Sequence, residues 1–215
     1  WHEAQFALWN RSNLLDRTLG WYEKAEPIAR QIAQRQGFDG VRWMKMTDPS
    51  GTEAPSKVGS FLIWQQPHLI YLAELLYRAD PTKEVLEKYN RLVQETAEFM
   101  YSFATYDELE GRYVLKGAIP AQETLRAAET INPPFELSYW HFAMQTAQQW
   151  RERMGQQRSL EWDEMIDKLS PLASNKEGLY LAAETATDTY KDIRYTSDHM
   201  AVLGAVGILP MNKLI

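Results

Sequence analysis

"FLIWQQPHLIYLAELLYRADPTKEVLEKYNRLVQETAEFMYSF", residues 61–103, sets two helical runs of different character end to end. The first half leaves little polar face, since "FLIW", "LIYLA" and "LLY" are apolar on most sides. The second half is striped. Val85, Leu86, Tyr89, Leu92, Val93, Phe99, Met100 and Phe103 fall near one side, while Lys83, Glu84, Glu87, Lys88, Asn90 and Arg91 fall largely elsewhere. That spacing gives a helix with one face in water. A helix apolar on most sides has to be enclosed by other helices, whereas a striped one can stand outside them.

Working outward, glycine and proline divide the chain into about seven helical segments. The spacing predicts helices near 2–9, 12–36, 60–79, 81–104, 133–154, 160–170 and 198–208. Ser12, Asp80 and Asn132 are the expected N-caps of the second, fourth and fifth, and Gly37 and Gly155 are expected stops. Pro27 is a candidate break in the second. A short hairpin is expected at 105–116 around Gly111, and a further strand at 178–183. Segment six repeats the stripe with Leu160, Trp162, Met165, Ile166 and Leu169. Segment five, with Phe135, Leu137, Tyr139, Trp140, Phe142, Met144 and Trp150, is enclosed, and so is "MAVLGAVGIL" in segment seven. Enclosed and half-wet helices therefore alternate, which suits an all-α ring of hairpins in two layers, an α/α toroid. An ordinary helical bundle is the competing arrangement.

The chain has 215 residues, 45% of them apolar, enough to bury one substantial core. A net charge of −6 argues against a nucleic-acid surface, which needs clustered Lys and Arg. With no cysteine there is neither a disulfide nor a thiolate metal site. The four His are scattered, so no metal site and no cofactor is expected. No apolar run is long enough to span a membrane. The chain opens at Trp1 without a visible signal peptide and reads as a single domain, 1–215, cut from something longer. The compartment stays open, with a periplasmic or extracellular one favoured.

Three linkers carry unusual polar groups. "GVRWMKMTDPSGTEAPS", 40–56, holds Arg42, Trp43 and Lys45. "IPAQETLRAAET", 119–130, holds Gln122 and Glu123. "YTSDHM", 195–200, holds Asp198 and His199. Each precedes an enclosed segment, and in an alternating double ring such linkers lie on one side. Gln65, Gln66 and His68 add polar groups beside Pro67 and need partners where buried. Each feature also has a plain structural explanation. Glu123 suits a solvated loop, Glu136 a helix N-terminus, Asp198 an N-cap, His68 and His141 a hydrogen-bonded core, and Trp43 and Trp140 packing.

"GFDGVRWMKMTDPSGTE" resembles the G-x-x-G-A-R-F-P-W-E-S stretch of glycoside hydrolase family 65. "WQQPHLIYLAELLYRADPTKE" resembles that family's E-x-H-I-x-x-D-I-A-Y-A segment. More closely, the chain resembles bacterial hypothetical six-hairpin glycosidases carrying R-W-P-K-M, W-Q-Q-P-H and F-E-L-x-Y-W. The resemblance implies part of an (α/α)6 toroid with its active site in a central funnel. It implies that Glu123 stands where the family's general acid stands, with Gln122 at the preceding Asp, although the Y-H-E that follows in the family is not kept. It places Asp198 and His199 where family phosphorylases carry the K-Q pair that binds phosphate. A carboxylate there disfavours phosphate by charge and suits a base that activates water.

These residues make an inverting glycoside hydrolase the leading expectation. Glu123 is its acid, which requires partial burial to raise the pKa, Asp198 its base, and Glu136 the reserve for either role. Arg42, Lys45, Gln65, Gln66 and His68 are expected around sugar hydroxyls, Trp43 on a sugar face, and Trp140 and His141 at the floor. The expected partner is a carbohydrate, with the missing barrel helices or a second copy covering the broken edge. The piece alone is expected to be inactive. A glycoside phosphorylase, a sugar-binding domain without catalysis and a helical scaffold for protein partners are the alternatives.

Overall fold

The computed structural model describes residues 1–198 and 200–215. It is predominantly helical: α1 (Ala4–Leu8), α2 (Ser12–Arg35), α3 (His68–Ala79), α4 (Lys83–Phe103), α5 (Pro134–Arg153), α6 (Leu160–Lys168) and α7 (Ile193–Thr196), with a two-stranded antiparallel sheet of β1 (Thr105–Asp107) and β2 (Arg112–Val114).

The side-chain contacts give the layer order. Glu26 and Arg30 of α2 pair with Arg91 and Glu95 of α4, and Asp16 pairs with Lys88, so α2 and α4 run in one direction. His68 at the start of α3 meets Tyr139 near the start of α5, while Glu74 further along α3 pairs with Arg153 at the end of α5. These two helices are therefore parallel as well. Met100, late in α4, accepts from Trp140, early in α5, and Gln94 of α4 accepts from Arg151, late in α5. The layers thus run opposite to each other, as the alternation of sequence character demands.

Composition decides which layer is inner. α5 buries residues all round, among them Leu137, Tyr139, Trp140, Met144 and Trp150. α4 buries one stripe, including Leu86, Tyr89, Leu92, Val93 and Phe99, and keeps its charged residues outside. α6 buries only Trp162, Met165 and Ile166. The carboxylate of Glu74, buried in the inner layer, accepts from Arg78, Trp150 and Arg153, which together compensate its desolvation.

Several boundaries differ from the sequence expectation, each for a local reason. α2 runs unbroken through Pro27. Ser12 is its first residue rather than its cap, Thr82 replaces Asp80 as the cap of α4, and Pro133 precedes α5. Asn132 instead holds a left-handed backbone (φ 53°), its side chain accepting from Leu115 N and donating to Glu184. Ser159 does cap α6 by accepting from Trp162 N. Gly155 stops α5 as expected: at φ 72° its N–H reaches Glu152 O while Gln156 N reaches Arg151 O, the paired bonds of a Schellman ending. α3 begins at His68, not near residue 60, because Pro67 marks the true start. Segment seven is no enclosed helix: it is a short 3-10 turn, Ala201–Ala205, packed on α5, with Leu203 76% exposed. At 178–183 there is only an isolated bridge between Ser174 and Tyr180.

Candidate active site

The two long linkers enter α3 and α5 from the same side, and their own side chains stitch them together. Gln66 accepts from Trp43 N and donates to Val41 O at 2.7 Å, and Gln65 donates to Trp43 O and Leu62 O. The two glutamines thus clamp the 41–45 strip onto the entrance of α3. Arg42 donates to Leu62 O from beneath, with its guanidinium over the Phe99 ring. Next, Ile119 N donates to Phe61 O at 2.8 Å, which ties the second linker to the first. Gln122 Nε2 donates to Tyr195 O at 2.8 Å, which brings in the third.

Glu123 lies at this junction. Its carboxylate pairs with Lys45 Nζ, and the two side chains are 34% and 29% exposed. Lys45 in turn sits 5.9 Å from the ring centroid of Trp64, within cation–π range. Trp64 is half-buried and lies edge-on to His68. An acid, a cation and a partly open indole therefore share one surface, which is a set of groups able to bond hydroxyls and stack on a sugar face.

Beneath them is Glu136, in the first turn of α5 and completely buried. One oxygen accepts from Ala121 N at 2.6 Å, and the other has no partner among the described residues. Burial pushes this carboxyl up to about 7, although the backbone bonds oppose the shift. It fixes the turn that delivers Gln122 and Glu123. His68 Nδ1 shares a hydrogen bond with Tyr139 Oη at 2.9 Å, and burial pulls its ring down to about 3, so it is neutral.

The remaining expected residues are placed otherwise. Trp43 is in the core, its indole donating to Thr96 and its ring packed edge-on to Tyr22, with no face left for a ligand. Trp140 is in the interior, bonded to Met100 O. His141 is buried with both ring nitrogens unpartnered among the described residues, and burial lowers it to about 4. Asp198 is half-buried, three residues beyond the Tyr195 carbonyl that Gln122 holds. His199 lies outside the described residues.

Sequence reasoning missed Trp64 and Tyr195. Trp64 was read as part of an apolar helix, yet its place beside two glutamines and a proline marks a loop aromatic.

No protein-family model matches this chain, and no curated protein matches it either. Among solved structures, one named "Putative kojibiose phosphorylase from human microbiome" superposes with a TM-score of 0.62 at 12% sequence identity. The match covers 80% of this chain and 27% of that one. At that identity the likeness is one of fold: the alternating layers are those of part of an α/α toroid, and the chain spans 27% of the length of its neighbour.

Proposed function

We propose that this chain forms one side of the active-site funnel of a carbohydrate-active enzyme, an inverting glycoside hydrolase. In this reading the incoming saccharide displaces Lys45, the freed Glu123 carboxylate takes up a proton from solvent, and Glu123 then gives that proton to the leaving glycosidic oxygen as the bond to the anomeric carbon breaks. Asp198 takes a proton from the water that attacks the opposite face. An inverting pair stands about 6.5–9.5 Å apart to leave room for that water. Lys45, displaced from Glu123 by the incoming oxygen, bonds a neighbouring hydroxyl, and Trp64 takes the stacking role expected of Trp43.

The observation that supports this most is the meeting of Lys45, Trp64 and Glu123 where two linkers join at the starts of the parallel inner helices. The solved neighbour's name adds support for glycoside chemistry and favours a second reading, phosphorolysis, in which phosphate replaces water. A carboxylate at Asp198 supports water over phosphate as the nucleophile, since like charges repel.

The test is a panel of α- and β-linked disaccharides offered to the intact protein with and without inorganic phosphate, with the first-formed anomer read by NMR. Hydrolysis with inversion at a rate indifferent to phosphate is expected. Strict dependence on phosphate would overturn hydrolysis, and sugar binding without cleavage would reduce the chain to a binding module.

A further inference from the structure

A cleft of about 570 Å³ opens at the C-terminal ends of α2 and α4, around Arg42. Its apolar wall is made of Phe38, Phe61 and Phe103, and Phe61 is exposed. Its charged groups are Arg42 and Lys116, and no acidic side chain among the described residues lines it, on a chain whose net charge is −6.

Arg42 is the unusual member. It is 1% exposed, and its Nε and Nη1 have no hydrogen-bond partner among the described residues. No carboxylate among the described residues lies within ion-pair range of it. Glu53, the acid whose field reaches it, is paired with Arg35. A buried cation without a counter-ion is costly, and burial lowers this guanidinium to about 10. Its charge leaves the cleft floor positive, because little water screens it. Lys116 stands at the rim, exposed, with its ammonium available to a ligand.

We propose that this cleft is a subsite for an acidic sugar unit, a hexuronate, whose carboxylate pairs with Lys116 in the positive field of Arg42 and whose apolar face packs on Phe61 and Phe103. A neutral sugar would leave the charge uncompensated, and a bare anion would leave the rings unused. The proposal deepens the glycoside reading and rests on it, by naming acidic saccharides as the substrate class.

The test is calorimetric titration of the intact protein with D-glucuronate, D-glucose and formate. Glucuronate is expected to bind, with glucose and formate each at least about tenfold weaker. Lys116→Met and Phe61→Ala, both at exposed positions that leave folding intact, should each weaken glucuronate about tenfold. Glu123→Gln should leave it unchanged, which keeps this result separable from the catalytic reading. Equal binding of glucose and glucuronate, or indifference to Lys116→Met, would overturn the subsite. Equal binding of formate and glucuronate would overturn the sugar-stacking half. If glucuronate binds but no glycoside is ever cleaved, the subsite stands and the catalytic reading falls.

Discussion

Glu136 is the residue on which the site's geometry rests. One oxygen holds Ala121 N and the other is buried without a partner among the described residues. Its folded pKa lies at about 7, above the ordinary value of 4.5. The neutral form is therefore favoured in the fold, so its contribution is complete below about pH 4.5 and is lost as pH rises through about 7. His68 and His141, both lowered, act with the opposite sign: their contribution is present above the usual histidine value and lost as pH falls through about 3 and about 4. The difference between Glu136→Gln and the parent isolates the carboxyl. Urea midpoints should show the parent losing on the order of 2–3 kcal/mol relative to the variant between pH 5 and pH 8. A pH-independent difference would mean that Glu136 is ionised in the fold. At this scale the sequence was only half legible. Loop acids, amides and Lys45 could be named from residue type, but whether an aromatic faces a ligand or the core depends on packing that no local pattern records. Trp43 lies in the core and Trp64 is half-buried beside Lys45 for that reason.

Among the elements, the helices with a wet face were the most legible, because their stripe carries its own period. The enclosed ones were less so. An all-apolar run has no phase, so residues 60–67 and 198–208 both read as helix. In the first, Gln65 and Gln66 spend their amides on neighbouring backbone instead. In the second, the run folds only into a short turn on α5. The linker from α2 passes against α4 at Gly40, where a Cβ would stand 2.1 Å from Glu95 O at a φ of +66°. Gly40→Ala should therefore cost about 3 kcal/mol or more, read by urea denaturation, since backbone on both sides must shift. It should also lift the 41–45 strip and loosen Lys45 from Glu123. Glu74→Ala leaves Arg153 and Trp150 without their shared acceptor and should cost about 3 kcal/mol. A loss below about 0.5 kcal/mol would show that the inner helices do not depend on it.

As a whole molecule, the chain supplies a portion of a ring: its match to the solved neighbour covers 27% of that protein. Leu8, Trp9, Leu160, Leu203 and Met211 are exposed apolar side chains. We propose that further helices of a complete toroid, or a second copy, cover these side chains, since apolar surface gathered on one face favours association. The 215-residue chain expressed by itself is then expected to self-associate in light scattering as concentration rises. A clean monomer throughout would contradict this. The alternation of layers was legible in the sequence because it is a whole-chain pattern of burial. The catalytic claim is tested most directly by comparing the intact protein with its Glu123→Gln variant on a glycoside that the parent cleaves, measuring turnover and sugar affinity together. The account predicts turnover reduced by about a thousandfold or more with affinity retained, and a variant as active as the parent would contradict it.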